Sequence, residues 1–166
     1  MSNEVNELAK IPTRFSEFAL PDPLLAAVTD LGFTECTPIQ SAVLPFSLSD
    51  YDITGQAQTG TGKTAAFLIT ILTKLWEEEE SENLSKEFPR ALILAPTREL
   101  AMQIETDGRG LAKYMGFTLQ SIVGGIDYQK QLNSLQSNPA DIVVATPGRL
   151  IDFLNRKYLN LSNIKT

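Results

Sequence analysis

Ala57-Gln58-Thr59-Gly60-Thr61-Gly62-Lys63-Thr64 is the stretch on which the reading of this chain turns. It ends in Gly-Lys-Thr and lies between a strand-like segment near Asp52 to Gln56 and a helical pattern from Gly62, with Phe67, Leu68, Ile71, Leu72 and Leu75 on its apolar side. Strand, glycine-rich loop and helix in that order are the context a P-loop requires. Gly60 and Gly62 let backbone N–H groups turn inward around phosphate oxygens, and the following helix aims its positive end at them. Lys63 supplies a mobile cation for the terminal phosphates, and Thr64 is placed to offer its hydroxyl to Mg²⁺. The generic pattern begins with glycine, whereas this loop begins with Ala57. A glycine-rich turn before an ordinary helix is the alternative, and the flanking elements favour the P-loop.

Working outward, the same alternation continues. Upstream, Pro21-Asp22-Pro23 opens an amphipathic helix through Leu24, Leu25, Val28 and Leu31 that Gly32 stops, and Pro38 begins a second helix that Pro45 is expected to kink or end early. Downstream, Ala91 to Ala95 is a continuous apolar run ended by Pro96, followed by a helix over Arg98 to Lys113. Phe117 to Val123 reads as a strand closed by Gly124-Gly125, Tyr128 to Leu135 as a short helix, Asp141 to Ala145 as a fourth strand, and Gly148 to Asn155 as a helix. Strands alternating with helices predict an α/β domain, a mostly parallel sheet with helices on both faces.

The 166 residues, 43% of them hydrophobic, suffice for one sizeable core and are too few for two ordinary domains with a linker. Residues 1–12 read as a flexible polar tail and 13–166 as the domain. Histidine is absent and Cys36 is the single cysteine, which excludes zinc chemistry and an internal disulfide. No secretory leader or bilayer-length apolar run is present, so a cytoplasmic location without membrane contact is expected. The net charge of minus six weighs against strong non-specific affinity for nucleic acid, although part of the excess sits in Glu77-Glu78-Glu79-Glu80 and Glu82, read as a solvated helix end and loop.

Gly32-Phe33-Thr34-Glu35-Cys36-Thr37-Pro38-Ile39-Gln40 resembles the Q motif of DEAD-box RNA helicases, with Phe15 placed 17 residues before Gly32 where that family has an isolated aromatic. The Gln40 amide can donate and accept at once, which suits the N6/N7 edge of adenine, an edge GTP and CTP lack, and Phe15 could stack on the base. Taken alone, both residues would be read as capping or core residues, and their spacing from the P-loop reverses that balance. Pro96-Thr97-Arg98-Glu99-Leu100 resembles motif Ia, Gly124-Gly125 the GG motif, and Thr146-Pro147-Gly148-Arg149 motif Ib, in family order. Each follows a predicted strand at the sheet edge where α/β proteins bind ligands, and each offers hydroxyls, backbone N–H groups or guanidinium donors suited to phosphates and 2′-hydroxyls rather than bases. Singly, Gly124-Gly125 is also an ordinary turn, and Arg98 or Arg149 a helix-end ion pair.

The resemblance spans Phe15 to Thr166 and looks closest to the bacterial RNA-degradosome helicase branch. It implies the first RecA-like domain of an ATP-dependent RNA helicase. ATP or ADP with Mg²⁺ would lie on Phe15, Thr37, Gln40 and residues Ala57 to Thr64, with Lys63 and Thr64 in catalytic roles and Thr64 on the metal. Single-stranded RNA would lie on Pro96, Thr97, Arg98, Glu99, Gly124, Gly125, Thr146, Pro147, Gly148 and Arg149, without DNA specificity. The family's partners would be a second RecA-like domain and RNA-decay or ribosome-assembly proteins. The acidic Asp-Glu-Ala-Asp motif II is not in the sequence; in the family pattern it follows a stretch like Leu159 to Thr166. The chain is therefore expected to be truncated before the motif II strand, to leave an exposed sheet edge and to turn over no ATP by itself. A nucleotide or RNA clamp without turnover is the rival reading. A P-loop kinase or GTPase is a third, which leaves Phe15, Gln40 and the three RNA-type motifs unexplained.

Overall fold

Ile142, Val143, Val144 and Ala145 are all buried, a run only a strand covered on both faces tolerates. The computed structural model describes residues 12–81 and 88–166 and makes this segment, β3 (Ile142–Ala145), the centre of a parallel sheet in the order β1-β3-β2. β1 (Ala91–Leu94) and β2 (Leu119–Ile122) flank it, with Ala91 and Leu119 both opposite Ile142. The period of two then divides the core. Ile142 and Val144 face a large cluster built with α1 (Asp22–Asp30), α2 (Pro38–Ser47), α3 (Lys63–Ser81) and α4 (Arg98–Leu111). Val143 and Ala145 face a smaller one with Leu150 and Phe153 of α6 (Pro147–Asn155), against which Leu135 of α5 (Tyr128–Ser137) packs. Helices thus cover both faces. Leu68, Ile69 and Leu72 of α3 have no exposed surface, and a truncation such as Leu72→Ala would cost about 2–5 kcal/mol.

At the N-terminal end of the strands a buried ion pair closes the sheet. Arg90, 3% exposed, donates from Nη2 to Asp141 Oδ1 at 2.7 Å, and Asp141 Oδ2 accepts from Thr118 N–H at 2.8 Å. The starts of all three strands are so tied by one carboxylate. The Arg90 guanidinium also lies 5.2 Å from the Phe117 ring centre.

Three expectations need correction. The segment Asp52 to Gln56 forms no strand; it is exposed throughout and has no ladder partner among the described residues. The outer edge of β1 is met instead by the chain's last residues, with Lys165 N–H on Arg90 O at 2.9 Å and Leu92 N–H on Thr166 O at 2.9 Å. A strand exists only with a neighbour to pair with, and Asp52 to Gln56 lie across a groove from β1. Pro45 does not end α2 early: the helix runs on to Ser47, because a proline in the last turn forfeits one donor, and Ser49 Oγ caps Pro45 O at 2.8 Å. The acidic run forms the end of α3 as expected, but not all of it is left to solvent: Glu78 lies 3.6 Å from Lys165 and Glu79 3.9 Å from Arg90. The predicted tail, except Pro12, and Glu82 lie outside the described residues.

Candidate functional site: the C-terminal edge of the sheet

The loop before α3 has the backbone a phosphate cradle needs. Gly60 and Gly62 adopt φ of +83° and +90°, a region L side chains avoid. Thr61 Oγ1 donates to Gln58 O at 2.8 Å and tightens the turn. Lys63 folds back on its own loop, Nζ donating to Ala57 O and, at 2.6 Å, to Gln58 O. Its charge is held by neutral carbonyls, partners that a phosphate would outcompete.

Gln40 ties this loop to the start of α2. It is 4% exposed; its Oε1 accepts from Thr37 N–H at 2.9 Å, the firm arm of a capping box, and its Nε2 donates to Gly62 O at 3.1 Å. The capping alternative and the nucleotide reading therefore fall on one residue. Thr37 Oγ1, which faces the Gln40 N–H in the same box, is buried without a hydrogen bond of good geometry. A Cβ on Gly62 would collide with the Gln40 carboxamide and approach Thr37 Oγ1 to 3.1 Å. An orphaned hydroxyl, a cradle that only glycine permits and a cation on weak partners fit an adenine nucleotide. Mg²⁺ would find the Thr64 hydroxyl here, and no group of three or more acidic, histidine or cysteine side chains fit to hold a metal occurs among the described residues.

Thr37, Gln40, Thr59, Gly60, Gly62, Lys63 and Thr64 all line one groove of about 1150 Å³, which extends to Ile93 and Leu94 of β1 and Leu100 of α4. Phe15 does not line it: at 2% exposure it sits in the core. Phe33, 40% exposed, does line it, and its ring centre lies 6.5 Å from that of Phe15. Phe33 rather than Phe15 therefore presents a ring to the groove.

The three other motifs stand at the C-terminal ends of β1, β2 and β3. Thr97 caps α4, accepting Leu100 N–H at 3.3 Å, while Pro96, Thr97, Arg98 and Glu99 are all exposed. The Glu99 carboxylate is held below its usual range by its own backbone N–H and then by Arg98, 3.1 Å away. Gly125 has φ +75°, and a Cβ there would meet Arg98 Nη1 at 2.8 Å. Arg98 Nη1 and Arg149 Nη2 reach successive carbonyls of this turn, Gly125 O and Ile126 O, each at 3.5 Å. Such long contacts hold the arginines loosely. Thr146 precedes α6, Pro147 is its first residue, and Gly148 has open space where a Cβ would be. Gln131, which sequence reasoning passed over, clamps the end of β2 as a strand would, accepting Val123 N–H at 3.1 Å and donating to Val123 O at 2.8 Å. Its place one helical turn beyond Asp127, the N-cap of α5, was the available signal.

A phosphate-cradling loop ahead of a helix, on a parallel sheet covered on both faces, defines a RecA-like P-loop domain. The DEAD/DEAH box helicase family model matches residues 37–166, and the chain belongs to that family. It is 50% identical over 153 residues to the ATP-dependent RNA helicase RhlB of Pseudomonas putida, covering 92% of this chain and 38% of that protein. With the RhlB of Erwinia tasmaniensis it shares 47% over 152 residues, 92% of this chain and 35% of that one. A DEAD box protein from the hyperthermophile Methanococcus jannaschii superposes with a TM-score of 0.79 at 38% identity, covering 92% of this chain and 40% of that one. A hypothetical ATP-dependent RNA helicase from Sulfolobus tokodaii gives 0.75 at 34%, covering 88% and 40%. The chain thus spans about two-fifths of the length of these relatives. No helix among the described residues is long and apolar enough to cross a membrane.

Proposed function

We propose that this chain binds ATP or ADP, with adenine preferred, in the groove between Phe33, Gln40 and the P-loop, and binds single-stranded RNA by its backbone along the three strand ends. The observation that carries the reading is the Gln40 bridge, because it joins the residue suited to the adenine edge to the Gly62 carbonyl of the phosphate cradle. On nucleotide binding, Lys63 exchanges its two loop carbonyls for phosphate oxygens, Thr64 offers its hydroxyl to Mg²⁺, and the spare lone pair and N–H of Gln40 meet N6 and N7. Phe33 excludes water from one face of the base. Arg98 and Arg149 leave the turn carbonyls for RNA phosphates, and Gly124, Gly125 and Gly148 admit the strand to close backbone approach.

Without the carboxylates of motif II the chain lacks the groups that orient Mg²⁺ and the attacking water, so it holds nucleotide without turning it over at a useful rate. In a longer protein, with a second RecA-like domain across the groove, the same contacts would couple ATP hydrolysis to local separation of RNA duplexes. Calorimetry tests the site. ADP is expected to bind more tightly than GDP, and Lys63→Ala to weaken ADP about ten- to a hundredfold, as the loss of a charged hydrogen bond implies. Gln40→Ala should narrow the difference between ADP and GDP. Equal affinity for both nucleotides in the unaltered chain, or ADP affinity untouched by Lys63→Ala, would overturn the assignment.

A further inference from the structure

Arg149 is held by a ring rather than by a carboxylate. Its guanidinium carbon lies 5.0 Å from the Tyr128 ring centre and 5.9 Å from that of Phe153, within cation–π range of both. Nη1 is buried without a hydrogen bond, Nη2 has only the 3.5 Å contact with Ile126 O, and no carboxylate lies within 4.0 Å among the described residues. The nearby acidic group, Asp152, is held first by Arg156, whose Nε donates to Oδ1 at 3.0 Å, then by the Tyr128 hydroxyl, and only weakly by the charge of Arg149. Arg156 itself lies 5.5 Å from the same Tyr128 ring. Tyr128 is in turn fixed edge-on against Phe153, fully buried, at 5.1 Å, and against Tyr158 at 6.4 Å.

The arrangement answers a difficulty that the RNA reading raises. A long arginine at a sheet edge loses several rotors when it grips a phosphate, and a carboxylate partner that stopped it wandering would also neutralise it. A π face restrains the guanidinium plane without neutralising its charge, which leaves that charge and the Nη2 donors for a phosphate while Nη1 stays buried. From this geometry we propose that Tyr128 is a positioning residue for RNA binding: its ring is the shelf on which Arg149 is preorganised, and the Asp152–Arg156 pair keeps the neighbouring carboxylate from capturing that charge. The inference rests on the reading of Arg149 as an RNA contact. It adds a residue of α5, outside the motifs read from the sequence, to the determinants of affinity.

The test uses anisotropy of a short labelled oligouridylate with the full chain at low salt, beside ADP calorimetry as a control for the P-loop. Tyr128→Phe keeps the π face and should bind RNA within about twofold of the unaltered chain. Tyr128→Leu keeps apolar cover without the ring face and should bind about three- to tenfold more weakly, with ADP affinity unchanged. On an Arg149→Ala background, Tyr128→Leu should add nothing, since its effect passes through that arginine. If Tyr128→Leu does not fold by circular dichroism, Tyr128→Met takes its place. The inference is overturned if the ring-less variant binds RNA as the unaltered chain does, or loses as much affinity with Arg149 already removed. Arg149→Ala alone separates the two readings: RNA affinity unchanged by it sinks the RNA role of this edge, whereas a loss there without one in Tyr128→Leu sinks the shelf only.

Discussion

Two arginines at opposite ends of one sheet are packed on aromatic rings and do opposite things. At the N-terminal end Arg90 lies on Phe117 and is neutralised by Asp141 at 2.7 Å, wholly out of water. At the C-terminal end Arg149 lies on Tyr128 and Phe153, and among the described residues its one hydrogen-bond partner is a carbonyl 3.5 Å away. Burying a charge is tolerable only when it is paired; each arginine has one buried nitrogen without a hydrogen bond, Nε of Arg90 and Nη1 of Arg149, but the first is paired with a carboxylate, and the result is the register of three strands. The second end is left less complete: glycines stand at the turns, Arg149 has no carboxylate within 4.0 Å among the described residues, and Arg98 has only its exposed neighbour Glu99, 3.1 Å away, and a 3.5 Å contact with Gly125 O. An incomplete site is what a ligand completes, and the difference supports placing the proposed RNA contacts at the C-terminal end of the strands.

Breaking the closed end should produce the largest effect. Asp141→Ala strands the Arg90 charge and leaves Thr118 N–H without its acceptor, and should destabilise the fold by about 3–5 kcal/mol in urea titration. At the open end, Gly125→Ala forces an L residue to φ +75° and into Arg98, which should cost about 1–2 kcal/mol and weaken RNA binding. Arg98→Ala, removing an exposed side chain, should leave stability within about 0.5 kcal/mol while lowering RNA affinity and the slope of its salt dependence by about one phosphate contact. A large loss of stability from Arg98→Ala would erase the contrast between the ends.

The smallest effect concerns Asp30, whose carboxyl is held below its ordinary value by the Tyr114 hydroxyl and then by Lys113. Its folded pKa is depressed, so the stability it contributes is present above the ordinary carboxylate range near 4 and is lost as pH falls through the folded value. Asp30→Asn should therefore lower the melting midpoint slightly at neutral pH and not at all in strong acid.

The sequence made one kind of feature legible and concealed another. The glycine-rich loop, the helix after it and the turns at the strand ends could be read because each is fixed by residues adjacent in the chain: Gly60 and Gly62 for the backbone, and Thr97 for a cap. The strand expected at Asp52 to Gln56 failed because strand formation depends on a neighbour, and the edge of β1 is met by Lys165 and Thr166 instead. Phe15 and Phe33 could not be ranked because exposure, 2% against 40%, is a tertiary property. The Gln131 clamp on Val123 and the Tyr128 shelf under Arg149 join residues of α5 to other elements, and no local pattern reports them.

The contrast between the two ends is tested most directly by following backbone amide resonances of the labelled chain as oligouridylate is added. Shifts are expected at residues 97–99, 124–126, 146 and 148–149, none at residues 90–91, 118 and 141–142, and a further set at residues 60–64 only when ADP is also present. Shifts concentrated at the Arg90–Asp141 end, or spread evenly over the surface, would contradict it.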